Sequence, residues 1–215
     1  MLTACWSVKG GSGTTVVSAA LGLLMARARH DHATLLDLAG EVPAALGIPD
    51  PSGPGLTEWL ATEARAPASF ARLIAPAAGG LGVVPRGAPL SPDEDDSSAL
   101  FAAMADVGGA WVVDAGVPAG PLAREVVTSA DTSLLVLRPC YLALRRALAT
   151  DLPAHGVVLV REPGRALTAK DIEDVLRLPV RAEIDVDPAV ARAVDAGLLA
   201  GRLPRLLERS LRGAA

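Results

Sequence analysis

Short apolar runs alternate with segments of helical spacing along this chain, and that alternation limits the folds open to it more than any other feature. The runs at 2–8, 33–38, 82–84, 110–113, 133–137 and 157–160 are β-branched or leucine-rich and mostly continuous. Runs of that kind are strands covered on both faces. Between them, 15–29, 97–107, 122–128, 142–150 and 170–176 carry helical periodicity. Strand then helix, repeated, predicts an α/β fold, with a mostly parallel sheet and right-handed crossovers in a three-layer sandwich. The 215 residues suit one domain spanning the chain. Proline and glycine at 48–55 and small apolar residues at 75–80 predict loops around two short helices, inserted between the second and third strands. Ser91 and Pro92 ahead of the acids at 93–96 predict a helix entry, where negative charge meets the positive end of the backbone dipole.

Composition removes several function classes. At 51% hydrophobic and 20% charged residues the chain is too apolar for a disordered one. Its longest apolar stretch near the start, 16–25, is broken by Ser18 and Gly22 and is shorter than the ~18–20 residues of a spanning helix. The first five residues lack a secretory pattern, and Cys5 and Cys140 cannot build a disulfide framework, so a cytoplasmic location is expected. The same two lone cysteines argue against an iron–sulfur cluster. A net charge of −4 places nucleic acid below protein partners, although Arg145, Arg146 and the terminal arginines give a local basic surface. His30, Asp31 and His32 read as a solvated turn, and Trp6, Trp59 and Trp111 as core or interface residues.

The segment Val8-Lys9-Gly10-Gly11-Ser12-Gly13-Thr14-Thr15 follows the first strand and opens the first long helix. Three glycines let backbone N–H groups approach an anion, and the new helix adds its own unpaired N–H groups and dipole. A ligand-free strand-to-helix turn is the plain alternative. Lys9 is informative because all but two of the 20 cationic residues are arginines, and Lys9 is one of the two lysines.

This segment resembles the deviant Walker A loop of the MinD/ParA-type P-loop ATPases, Lys-Gly-Gly-x-Gly-Lys-Thr/Ser. Lys9 stands at the signature lysine, Gly10, Gly11 and Gly13 at the glycines, and Thr15 at the magnesium-binding hydroxyl, with Ser12 at the variable position. Thr14 replaces the second lysine. The resemblance continues in Leu35-Leu36-Asp37-Leu38-Ala39-Gly40, where Asp37 matches the first acid of switch I and Ala39 replaces the second, leaving Glu41 as the only nearby substitute. It continues again in Trp111-Val112-Val113-Asp114-Ala115-Gly116, which is similar to Walker B. Two roles are open for Asp114, magnesium binding and a cap on the next loop. Further on, 129–139, 156–161 and 178–188 resemble the later strands, with Val160 and Arg161 where relatives commonly carry an adenine-reading asparagine and 189–196 as the next helix. The closest flavour is the TadZ/CpaE and actinobacterial septum-site-determining branch.

What the resemblance implies is ATP or ADP with Mg2+ held by Lys9 to Thr15 and Asp114, Lys9 and Asp37 as the candidate catalytic residues, and a homodimer across which Lys9 reaches. Hydrolysis is expected to be weak or absent, because a threonine hydroxyl offers a neutral hydrogen bond where an ammonium gives a charge-assisted one. Three functions compete: a positioning factor for a pilus, secretion or division machine, a pseudo-ATPase interaction module, and a metabolic P-loop enzyme. At the end, Arg202, Arg205, Arg209 and Arg212 lie opposite Leu203, Leu206, Leu207 and Leu211, a short basic amphipathic helix over about 202–212. It either touches the inner face of the membrane or closes the fold.

Overall fold

The computed structural model describes residues 1–28, 33–49, 52–90, 96–201, 203 and 205–214. The expected turn at 30–32, most of the expected helix entry at 91–96, and Arg202 lie outside them. The strands are β1 (Leu2–Trp6), β2 (Ala33–Asp37), β3 (Ala75–Pro76), β4 (Leu81–Val84), β5 (Ala110–Gly116), β6 (Thr132–Leu137), β7 (Gly156–Arg161) and β8 (Val180–Asp185). They form one eight-stranded sheet in the order β3-β4-β2-β5-β1-β6-β7-β8. Every neighbouring pair is parallel except β3 with β4. The expected architecture is therefore the observed one.

Three details depart from the sequence reading. The inserted segment holds three five-residue helices, α2 (Val42–Leu46), α3 (Leu56–Leu60) and α4 (Pro67–Ala71), where two were expected. Ala75 and Pro76, read as loop, pair antiparallel with Val83 and Gly82. Pro76 has no N–H to donate, so an edge strand is a place it can occupy without losing a ladder bond. Strand β5 runs on to Gly116, so Asp114 sits inside a strand that was expected to end at Val113.

The remaining helices are α1 (Thr14–Ala28), α5 (Ser97–Val107), α6 (Pro121–Thr128), α7 (Tyr141–Ala149), α8 (Ala169–Leu176), α9 (Pro188–Asp195) and α10 (Arg205–Leu211). Alternate strand residues feed two apolar layers. Leu35, Val83, Val112, Leu134 and Val136 meet α1 and α10 on one face. Leu36, Val84, Val113, Leu135 and Leu137 face α3 to α8 on the other. Helix α1 is buried almost continuously from Val17 to Met25, which is why its sequence is apolar on every side. Trp6, Trp59 and Trp111 are all core residues.

At the carboxyl end of the chain, Leu203, Leu207 and Leu211 are buried in the same cluster as α1, while Arg205, Arg209 and Arg212 are exposed. Each buried leucine contributes about 1.5–3 kcal/mol to folding. The leucine stripe that suggested a membrane contact is thus spent on the protein's own core, and α10 closes the fold. Among the described residues no helix is long and apolar enough to cross a membrane.

Candidate functional site

Because the parallel strands run the same way, their carboxyl ends and following loops gather along one edge of the sheet. The central loop there joins β1 to α1. Its base is fixed by the Ser7 N–H, which donates to the Gly116 carbonyl at 2.7 Å, so the loops after β1 and β5 are tied together. The Ser7 and Ser12 hydroxyls both donate to the Lys9 carbonyl, at 2.6 and 3.0 Å, and turn the chain back over itself. Gly11 and Gly13 take φ of 74° and 93°, a conformation that a side chain strains. Among the described residues no hydrogen bond uses the backbone N–H groups of Gly10 to Thr15. A Cβ placed on Gly10 or Gly11 would meet nothing within 4 Å, so the loop is open rather than filled by the protein. Among the described residues the Lys9 ammonium reaches only its neighbour's carbonyl, Gly10 O, at 3.4 Å. Thr14 is buried, and its carbonyl accepts the Ser18 hydroxyl at 2.9 Å.

Asp114 and Asp37 are both fully buried and face each other in register on β5 and β2. Burial pushes the Asp114 carboxyl up to about 7, with a further push from the Asp37 charge. The Thr15 and Ser18 hydroxyls and the Gly116 N–H pull the other way. The two roles left open for Asp114 divide between its oxygens. Oδ1 accepts the Gly116 N–H at 3.2 Å, a cap on the next loop. Oδ2 is buried with no hydrogen-bond partner, even though the Thr15 and Ser18 hydroxyls are close enough to stabilise the charge. An unpaired buried carboxylate oxygen beside a threonine hydroxyl is a donor set that suits a hard divalent cation such as Mg2+.

Asp37 is used differently. Burial raises its carboxyl, and the N–H groups of Gly40 and Val42 and the Arg86 guanidinium pull it back. Its two oxygens accept those N–H groups, so it staples the chain between β2 and α2. Arg86, just past β4, donates from Nη1 to the Ala39 carbonyl. Its guanidinium lies where a Cβ on Gly40 would fall, 2.2 Å from Cζ, and Gly40 has a φ of 88°. The Ala39 side chain abuts Gly116, 3.0 Å from the point a Cβ would occupy there. Glu41, the possible substitute acid, is exposed at the start of α2 and caps nothing with its side chain.

Two arginines of this edge escaped the sequence reading, Arg86 and Arg138. Their one legible signal is a cation next to proline directly after an apolar strand, in Pro85-Arg86 and Arg138-Pro139. Val160 lines a cavity that begins at Gly13, while Arg161 turns away to pair with Glu183 and Asp185. Cys5 is buried in the core, which pushes its thiol up to about 12, whereas Cys140 is partly exposed just before α7.

Known proteins share this architecture without sharing much sequence. No family model matches the chain, and no curated protein sequence does. A ParA family ATPase from Chlorobium tepidum superposes with a TM-score of 0.77 at 17% identity, covering 98% of this chain and 96% of its own. MinD in the MinC:MinD cell division complex of Aquifex aeolicus gives 0.72 at 19% identity, with 91% and 85% covered. The septum site-determining protein MinD of Pyrococcus horikoshii, complexed with Mg-ADP, gives 0.68 at 20% identity, with 92% and 86% covered. At such identities the likeness speaks for architecture, and the chain has the fold of the MinD/ParA P-loop ATPases.

Proposed function

We propose that this chain binds ATP or ADP with Mg2+ at Lys9 to Thr15 and works as a MinD/ParA-like positioning factor with weak or absent hydrolysis. The observation that carries the reading is the set of backbone N–H groups from Gly10 to Thr15, unused among the described residues, in an open loop at the start of a fifteen-residue helix. In that reading the loop N–H groups hold the phosphates, Thr15 and Asp114 are the residues that would hold Mg2+, and Mg2+ when bound would screen the phosphate charge. Thr14 orients a phosphate by a neutral hydrogen bond only. Weak hydrolysis is in keeping with the described turn after β2, where Ala39 carries no carboxylate and Asp37 accepts the Gly40 and Val42 N–H groups.

The MinC:MinD complex and the Mg-ADP complex among the similar structures support nucleotide binding and a protein partner. We place that partner in a pilus, secretion or division machine, with a homodimer as the working unit, in the cytoplasm. Calorimetric titration of the full chain with Mg-ATP and Mg-ADP tests the reading. Heat of binding at micromolar to millimolar nucleotide is the expected result, and none at millimolar concentration overturns it.

A second reading has its own observation. The loop after β2 is held shut by Asp37 and Arg86, the arrangement of a pseudo-ATPase interaction module whose fold outlived its chemistry. Nucleotide-independent dimerisation with no nucleotide uptake selects it. Vesicle co-sedimentation decides the remaining membrane option: because Leu207 and Leu211 of α10 are buried and Leu206 is partly so, the full chain and a truncation after Gly201 are expected to stay in the supernatant alike.

A further inference from the structure

The loop lacks the ammonium that Thr14 displaced, yet the edge of the sheet carries a guanidinium with unmet donors directly beside it. Arg138 follows β6, the strand next to β1. It lines a cavity of about 300 Å3 whose walls include Gly13, Val17, Val160, Ile184 and Val190. One end of that space is thus the phosphate loop and the rest is largely apolar, dimensions and chemistry that suit a sugar and a planar base.

A guanidinium has five N–H donors. Among the described residues Arg138 uses one of its groups, Nη1, which donates to Glu162 at 2.6 Å, while its Nε is buried without a partner. Glu162 is shared, because its other oxygen takes Arg165 at 2.6 Å. One carboxylate is shared between two arginines, and of the three aspartates that also line the cavity, Asp185 is paired with Arg161 and Asp187 accepts the Ala189 N–H, which leaves Asp195 as its third acid. Leaving a buried N–H unmet is unfavourable, and the group is ready to accept an anionic ligand. Lys9, Arg86, Arg146 and Arg161 do not line this cavity, although Arg86 shares with Arg138 a buried Nε without a partner. Arg161 bridges Glu183 and Asp185, Arg146 reaches Val8 O from the far side of the loop, and Arg86 lies in a separate cavity with Asp37. A larger cavity, about 610 Å3 beyond Arg161, is lined by charged side chains that already have ion-pair partners.

We propose that Arg138 supplies the cation missing at Thr14: it binds the phosphate of the nucleotide from the β6 side, with Glu162 holding the guanidinium in place and competing for it. This assignment rests on the nucleotide-binding reading above. It reverses the usual arrangement, in that the charge comes from a neighbouring strand instead of from the loop itself.

The test is calorimetric titration of the full chain with Mg-ADP, and with adenosine as the phosphate-free control, for the unaltered protein and for Arg138→Gln, Arg138→Lys and Glu162→Gln. Arg138→Gln is expected to weaken Mg-ADP at least tenfold and leave adenosine unchanged, with Arg138→Lys intermediate. Glu162→Gln is expected to tighten Mg-ADP about threefold by releasing the guanidinium. A pair that merely braced the loop would move both variants in the same direction, so the opposite signs are the diagnostic. Circular dichroism checks each variant, and should Arg138→Gln fail to fold, the lysine and glutamine variants still decide. Equal Mg-ADP affinity in Arg138→Gln and the unaltered chain overturns the assignment alone. Absence of Mg-ADP binding by the unaltered chain overturns the nucleotide reading and this assignment with it.

Discussion

Two loops at the same edge of the sheet have gone opposite ways. The turn after β1 keeps its N–H groups unused, its glycines in open space and its neighbouring carboxylate half satisfied. The turn after β2 is bonded to itself and to Arg86 instead. Asp37 is bonded to its own backbone, the Ala39 carbonyl is held by Arg86, and the same guanidinium fills the space over Gly40. On the function proposed above, the contrast means that a site can lose its chemistry without losing its binding surface. Backbone donors persist as long as the glycines do, whereas a missing carboxylate leaves a gap that the surrounding residues close.

The largest expected effect separates the two buried carboxylates from ordinary surface acids. Between the usual 3.8 and about 7 the folded chain keeps a proton on Asp114 that the unfolded chain has released, so stability falls as pH rises through that window. The full cost above pH 7 is about 4 kcal/mol at 1.36 kcal/mol per unit. Asp37 is raised as well and acts in the same direction. Denaturant titrations from pH 4 to pH 8 are expected to show the decline, and Asp114→Asn is expected to flatten most of it. A stability profile that rises over that range would contradict the burial of both groups.

Glycine substitutions probe the two loops side by side. Gly40→Ala forces a side chain into a left-handed φ and onto the Arg86 guanidinium, and is expected to cost about 2–3 kcal/mol. Gly10→Ala, facing open space, is expected to change stability by less than about 0.5 kcal/mol. Similar costs at both positions, read from chemical melts, would erase the distinction between an open and a filled loop.

Affinity sharpens the same point from the other side. Thr14→Lys restores a charge-assisted contact worth about 1.5–3 kcal/mol, so Mg-ADP is expected to bind roughly ten- to hundredfold tighter by calorimetry. No gain would mean that the first loop is as closed as the second. A more modest loss belongs to Arg86→Ala. Losing its bond to the Ala39 carbonyl is expected to cost about 1–2 kcal/mol and to speed amide exchange at Gly40 and Val42. Unchanged exchange at those amides would leave the staple to Asp37 alone.

Much of this was legible in the residues because strand burial and glycine placement are local signals. Continuous apolar runs predicted the parallel sheet, and Val8 to Thr15 predicted an open turn between strand and helix. The amphipathic spacing at the C-terminal end was legible too, but not which surface its leucines meet, since a core and a membrane take the same stripe. Least legible were Arg86 and Arg138. Their roles depend on which strands lie side by side, and the order β4-β2 and β1-β6 is set by crossovers that no neighbouring residue encodes. Asp37 shows the same limit. Its sequence context fits an acid of a catalytic loop, and nothing in that context signals that its oxygens accept the Gly40 and Val42 N–H groups.

The placement of the two thiols has a practical consequence. Cys5, sealed in the core with its proton held to about 12, is inert to thiol reagents in the folded chain, while Cys140 is reachable just before α7. The natural sequence therefore accepts a single fluorophore or spin label without any engineering, placed two residues from Arg138. Quenching or distance measurements from that one point can follow ligand arrival and subunit pairing in the unmodified protein.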